Sequence, residues 1–338
     1  MRDNGRRCVA NHKILLFEPV HQKGLDHLAG NGCEVVFSDG YGPEHIRSAV
    51  KDVDGILARA RGLIDAPVMD AAPRLKVIGR HGIGVDNVDV DAATARGIYV
   101  VNTPLAPAEA VAEFVAMGMI ALPRRIVQAD PAVRSLDWDF RNRVHPPELL
   151  GKTLGIIGFG RIGRRIAEIC GLGFRMNIVY TDAFPAAQEE EARLSANRVP
   201  IDHLLAKSDF VSLNVPLLDT THHLIDEKAL ASMKPTAILI NCARGPVVDE
   251  AALAQALENG VIAGAVIDVF EEEPIKDDNP LIGLDNVLLT PHYSGCSAES
   301  TENMSMVAAD IVKILNGIEP AFPVNEPENP RQQTGSEA

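Results

Sequence analysis

Residues 153–163 read Thr-Leu-Gly-Ile-Ile-Gly-Phe-Gly-Arg-Ile-Gly. The run TLGII is short and apolar, as a strand buried on both faces is, and the following RIGRRIAEIC has helical spacing. Gly158, Gly160 and Gly163 fall at the junction, in the pattern G-x-G-x-x-G. The first glycine permits a tight turn, the second lets the backbone approach a pyrophosphate, and the third lets helix and strand pack closely, with the helix dipole facing the phosphates. A glycine-rich turn without a ligand is the alternative, and the position between strand and helix argues against it.

Asp182 ends the next strand, NIVYTD, nineteen residues after Gly163 (182 − 163). A carboxylate at that offset can accept from the hydroxyls of an adenosine ribose and would repel the extra phosphate of NADP, so the expected cofactor is NAD. Taken alone, Asp182 reads equally as a strand-end cap.

Outward from this point, short Val/Ile/Leu runs alternate with amphipathic stretches. KILLF, CEVVF, GILAR, LKVIGR and IYVVN precede residue 103; FVSLN, AILIN, AVID and NVLLT follow Asp182. This β-α-β rhythm predicts an α/β protein with two doubly wound parallel sheets. Between the two series lie a helical run, 107–122, and a polar, arginine-rich excursion, 124–147, which holds the only tryptophan, Trp138. A last helix spans about 298–316, and the Pro-rich polar segment 321–338 reads as a disordered tail.

A length of 338 residues suits two domains, and a net charge of −14 disfavours nucleic acid as a partner while leaving small anions possible. Cys8, Cys33, Cys170, Cys242 and Cys296 form no C-x-x-C pair, so neither a disulfide framework nor a metal site is expected. The basic start MRDNGRRCVANHK leads only into KILLF, unlike a secretory signal, and no apolar run approaches the ~20 residues of a membrane helix. The expected location is the cytoplasm, away from membranes.

Other motifs also follow strands. Arg80-His81-Gly82-Ile83-Gly84 after LKVI could aim backbone amides at an anion, or form a plain turn. Arg244 follows AILI within NCARG; Asp268 opens DVFEEEP, whose last acid is Glu273; His292 follows VLLTP. Singly, these are ordinary surface and turn residues. Parallel strands nevertheless deliver all three to one edge of one sheet, and an arginine, a carboxylate and a histidine beside a nicotinamide suit hydride transfer to a carbonyl.

GRHGIGVDNVD, the NTP at 102–104, VAEF, GKTLGIIGFGRIG, NCARGPVVDE, DVFEEEP and TPH, in this order, resemble the D-isomer-specific 2-hydroxyacid dehydrogenases, and most closely the D-3-phosphoglycerate dehydrogenase branch, in a short form without a C-terminal regulatory domain. The resemblance implies a flavodoxin-like substrate domain from 1–104 and 297–320, with an inserted Rossmann domain, 105–296. It further implies that Arg244 grips the substrate carboxylate and carbonyl, that His292 is the acid/base, and that Glu273 pairs with His292 while Glu271 and Glu272 are solvated neighbours. By the same analogy, the loop 80–85 cradles the substrate carboxylate, Asp268 meets the nicotinamide carboxamide, Arg161 and Ile162 contact the pyrophosphate, and Pro216, Cys242 and Ala243 line the cofactor cleft. Relatives use the region of the excursion to pack on a second subunit, which implies a homodimer.

The expected function is NAD-dependent interconversion of a D-2-hydroxy acid and its 2-oxo acid, with 3-phosphoglycerate as one candidate substrate. A distal phosphate would need further cations, for which Arg59, Arg141 and Arg143 are the candidates. Hydroxypyruvate or glyoxylate reduction is the alternative within the enzyme class, and an NADH-sensing corepressor the alternative outside it.

Overall fold

The computed structural model describes residues 12–331. Cys8 and the last seven residues of the expected tail lie outside that range. The chain divides into a unit ending at Pro107 and rejoined from Ser297 onwards, and a unit Ala108–Cys296.

In the first unit, β1 (His12–Leu16), β2 (Cys33–Phe37), β3 (Gly55–Ala58), β4 (Val77–Arg80) and β5 (Tyr99–Asn102) form a parallel sheet ordered β2-β1-β3-β4-β5, the flavodoxin-like winding. Alternate residues enter separate cores. Leu15, Ile56, Ile78 and Val100 pack with Val68 and Met69, whereas Ile14, Leu57, Val77 and Val101 pack with Val307, Ile311 and Leu315 of the last helix, Val307–Leu315. Burial on both faces is why these strands read as continuous apolar runs.

In the second unit, β6 (Thr153–Ile157), β7 (Asn177–Thr181), β8 (Ala196–Arg198), β9 (Phe210–Leu213), β10 (Ile238–Asn241), β11 (Gly264–Ile267) and β12 (Val287–Leu289) form a parallel sheet ordered β12-β11-β10-β9-β6-β7-β8. The order reverses between β6 and β9, the switch point at which open α/β sheets bind ligands. Strand β8, Ala-Asn-Arg, escapes a sequence reading because it is three residues long and two of them are polar. The helix Arg161–Ala167 continues through a π-helical stretch, Glu168–Gly173, and the helix Ala108–Ala121 brings Phe114 and Met119 into the same core as Ile156, Ile166 and Val266.

The excursion folds into a helix, Ile126–Arg134, and a 3-10 turn, Trp138–Asn142, neither with a buried residue. Leu136 is 91% exposed and Trp138 65%, with Ile126, Val127 and Val133 also exposed.

The expectation of disorder from residue 321 fails for 321–331, where local polarity is satisfied by specific partners. Buried Asp310 accepts from the Ala321 and Phe322 amides. Pro323 bridges antiparallel to Val101, and Val324 donates to the Val100 carbonyl, so the segment covers the free edge of β5. Buried Asn325 accepts from the Val100 amide at 2.7 Å and donates to the Ile98 carbonyl and Thr94 hydroxyl. Arg331 caps the carbonyls of Ala72, Leu75 and Arg96. Asn325→Ala leaves a buried amide and carbonyl unpaired, and we expect it to lower stability by about 2–4 kcal/mol. Urea unfolding midpoints check this; a midpoint equal to wild type contradicts it.

Candidate active site

Strand register builds the site of the second unit. Ile157, Leu213, Asn241, Ile267 and Leu289 are partners across neighbouring strands, and Ile157 pairs with Thr181 on the other side. The residues that follow them therefore line one carboxyl edge: Asp182, Gly158, Asn214, Cys242, Asp268 and Thr290.

At the β6 end of that edge, Gly158 has φ +92°, and an added Cβ would lie 2.6 Å from the Asn214 carbonyl oxygen. At Gly163 the added carbon would meet the Gly158 carbonyl oxygen at 2.2 Å, so helix and strand touch there. Gly160 faces open space, the opening a pyrophosphate needs. Asp182 sits beside this turn, with Oδ2 accepting from the Phe159 amide at 2.6 Å and Oδ1 from the Phe184 amide. Arg161 is exposed at the first helical position and Ile162 is half-buried behind it. The donor set fits a dinucleotide: an open glycine turn at a helix start, with a carboxylate at the end of the adjacent strand.

At the other end of the edge, Asp268 has no exposed surface. Its Oδ1 accepts from the Thr290 hydroxyl at 2.6 Å and the Tyr293 amide at 3.0 Å, and its Oδ2 from the Ser294 amide at 2.9 Å. Its carbonyl takes the His292 amide at 2.8 Å. The carboxylate is thus engaged by its own loop. His292 is held at φ +50°, a left-handed conformation that non-glycine residues seldom adopt, and the Asp268 bonds on either side fix it there. The T-shaped contact of Tyr293 with Phe114, centroids 5.6 Å apart, seats the same loop on the helix Ala108–Ala121.

His292 Nδ1 lies 2.7 Å from Glu273 Oε2, while Glu273 Oε1 accepts from the Phe270 amide. Burial pushes the Glu273 carboxyl up, but the His292 hydrogen bond and charge, the Phe270 amide and the Arg244 guanidinium outweigh it and hold the group below the usual carboxylate range. His292 keeps its other ring nitrogen clear of this bond and is 41% exposed, as a group exchanging a proton with a ligand must be. Arg244 donates to the Ala243 carbonyl, and buried Asn241 ties the turn by bonding the Arg244 carbonyl and the Ala243 amide. Cys242 is half-buried, its thiol pushed well above the ordinary range by burial and by the Asp268 charge. Exposed Pro216 belongs to the loop after β9.

Glu272 pairs with Lys276 in solvent, and Glu271, exposed as expected, also lies 2.7 Å from His223 Nε2. Asn241, Thr290 and His223 carry structural duties that the sequence reading missed. The first two stand inside the quoted motifs, so the signal was present without a role attached; His223 has none.

In the first unit, the same register sets Arg59, His81 and Thr103 at the carboxyl edge of the other sheet. Gly82, at φ +124°, is pinned by Thr103, and Ile83 by Asn102. The amides of Ile83 and Gly84 donate to no acceptor among the described residues, and both residues are half-buried, which suits an anion. Arg80 bonds Asn87 and the His81 carbonyl. Arg59 donates to the Pro19 carbonyl at 3.0 Å. Arg143 pairs with Asp137, and Arg141 lies over the Trp138 ring. The arginines nominated for a distal phosphate are therefore spread over both units and are engaged.

With this geometry, comparison with known proteins is direct. Residues 116–294 match the family model "D-isomer specific 2-hydroxyacid dehydrogenase, NAD binding domain". The chain is 41% identical to a glyoxylate reductase of Thermofilum pendens over 94% of its own length and 96% of the relative's. It is 40% identical to a D-3-phosphoglycerate dehydrogenase of Archaeoglobus fulgidus over 93% of its length, but spans only 59% of that relative. Among solved structures, an NADPH-dependent glyoxylate/hydroxypyruvate reductase of Sinorhizobium meliloti, in complex with NADP and malonate, superposes with a TM-score of 0.84 at 32% identity, covering 96% of this chain and 99% of that one. The chain belongs to the D-isomer-specific 2-hydroxyacid dehydrogenase family, whose members carry an NAD-binding domain. No helix among the described residues is long and apolar enough to cross a membrane.

His81 offers a test of the first unit's edge. Its ring is 4% exposed and Nε2 has no hydrogen-bond partner. Burial, with the charges of Arg59 and Arg80, lowers its pKa to about 4. Between pH 6.5 and 4 the unfolded chain takes up a proton that the folded chain refuses, so stability falls as pH drops through that window. At pH 5 the loss is about 2 kcal/mol relative to pH 7. His81→Gln should flatten this dependence in urea titrations; an unchanged slope contradicts a buried neutral imidazole.

Proposed function

We propose that the protein is an NAD-dependent oxidoreductase interconverting a D-2-hydroxy acid and its 2-oxo acid. The observation that carries this reading is the His292–Glu273 pair, 2.7 Å apart, on the sheet edge that also bears Arg244 and the glycine turn. In the reducing direction, bound NADH supplies hydride to the carbonyl carbon. Arg244 grips the carboxylate and carbonyl oxygen and stabilises the negative charge developing on that oxygen, while His292 delivers the proton to it. Glu273, kept ionised by its neighbours, orients the imidazole for the transfer. Gly158, Gly160, Arg161, Ile162 and Gly163 hold the pyrophosphate, Asp182 the ribose, and Pro216, Cys242 and Ala243 line the nicotinamide end.

A small unphosphorylated acid such as glyoxylate or hydroxypyruvate is the favoured substrate. Its support is the engagement of Arg59, Arg141 and Arg143 and the near-complete span of the glyoxylate reductase relative. 3-Phosphohydroxypyruvate is the second reading, favoured by the 40% identity to a phosphoglycerate dehydrogenase. The exposed apolar residues of the excursion, Leu136 and Trp138 foremost, support assembly as a homodimer through that segment, and the reducing cytoplasm suits free cysteines.

His292→Gln should lower kcat for NADH-dependent reduction by roughly 10²–10⁴ while leaving NADH affinity nearly intact; unchanged kcat sinks the assignment. A panel of 2-oxo acids should give the highest kcat/KM for a substrate without phosphate. A preference of tenfold or more for 3-phosphohydroxypyruvate establishes the second reading instead.

A further inference from the structure

The loop that carries Glu273 holds a second imidazole–carboxylate pair. His223 Nε2 lies 2.7 Å from Glu271 Oε1, and the same oxygen accepts from the Glu250 amide at 3.3 Å. Glu250 returns the bond, its Oε2 accepting from the Glu271 amide, and its Oε1 holds Asn279 at 2.6 Å. Glu271 is thus fastened to the start of the helix Glu250–Glu258 on one side and to His223 on the other.

His223 belongs to the stretch after β9 that also contains Pro216. Its backbone is left-handed, φ +48°, and its amide donates to the Pro246 carbonyl at 2.8 Å. Its ring stacks on His222, centroids 4.1 Å apart, and Nδ1 stands 3.9 Å from Asp249. Pro246 is two residues beyond Arg244. Between them, Gly245 packs so tightly on the Glu271 loop that an added Cβ would lie 1.9 Å from the Phe270 carbonyl carbon and 2.5 Å from the Glu271 nitrogen. Three segments therefore meet at this point: the Pro216 stretch, the Arg244 turn and the loop whose Phe270 amide and Glu273 carboxylate lead to His292.

We propose that His223, through Glu271, is a positioning residue that fixes the Glu273 loop against the Arg244 turn and so sets the aim of the Glu273–His292 pair. The contact lies on the loop two residues before Glu273. Tension or slack there moves Glu273 through only two intervening peptide bonds, while Gly245 leaves no room for a compensating shift inward. A hydrogen bond is what the position requires, so glutamine, whose amide nitrogen can take the place of Nε2, substitutes for histidine, whereas alanine does not. The inference rests on the dehydrogenase reading for its kinetic consequence but not for its structural one.

The test uses the full chain with NADH and the best substrate of the panel. His223→Ala and Glu271→Ala should each lower kcat three- to tenfold with the dissociation constant for NADH changed less than twofold, and His223→Gln should restore kcat to within twofold of wild type. In a Glu273→Gln background, His223→Ala should have no further effect on kcat, because the residue acts through the carboxylate already neutralised. Independent reductions that multiply overturn the proposal, as does a His223→Gln variant no better than alanine. Hydrogen exchange at the Phe270 amide supplies a readout without turnover: it should accelerate in His223→Ala and Glu271→Ala and stay at the wild-type rate in His223→Gln. Unaltered exchange in the alanine variants overturns the inference whatever the substrate. A wild-type protein that reduces no 2-oxo acid, with the exchange pattern as expected, overturns the dehydrogenase reading alone.

Discussion

The buried carboxylate of Asp268 is the constraint on which the site of the second unit depends. It is sealed from solvent at the end of β11, and a charge there is tolerable only because a hydroxyl and two backbone amides surround it. Those three donors come from residues on both sides of His292. Satisfying the charge and bending the chain so that the imidazole stands out from the edge are consequently one event. The left-handed backbone at His292, unfavourable in isolation, is carried by those bonds.

The same logic extends along the edge. Glu273 gives one oxygen to the backbone of its own loop and the other to His292, so the imidazole's partner cannot swing away without losing an amide. Arg244 projects from a turn closed by Asn241 and backed by Gly245 against Phe270. Each functional side chain is braced by a neighbour: His292 by Asp268, just past the end of β11, Arg244 by Asn241, the last residue of β10, and Glu273 by the Phe270 amide. Parallel strands in register explain why: they deliver their last residues to a common line, where a few polar side chains can brace several loops at once.

How much of this could be read from the sequence follows from which signals are local. Eleven of the strands stand out as short apolar runs, most of them buried on both faces, whereas β8, three residues long with two of them polar, has no such signature. Gly158, Gly160, Gly163 and Asp182 were legible because a turn and a fixed offset encode them. Arg244, Glu273 and His292 came from the order of motifs, and their meeting on one edge follows from parallel topology. The bracing residues were not legible: Glu271 looks like one acid in a run of three, and its partner His223 is 48 residues away. The segment 321–331 was misread because its polarity resembles a tail, while Asn325 and Arg331 find their partners in strands and turns more than 200 residues earlier.

Asp268→Asn tests the central dependence most directly, since asparagine keeps the volume but replaces an acceptor oxygen by a donor facing backbone amides. The steady-state kcat for NADH-dependent 2-oxo acid reduction, measured on protein whose circular dichroism matches wild type, should fall by about 100-fold or more as the His292 loop loses its anchor. A variant that folds and turns over within about threefold of wild type would contradict the account, because His292 would then keep its place without the charge beneath it.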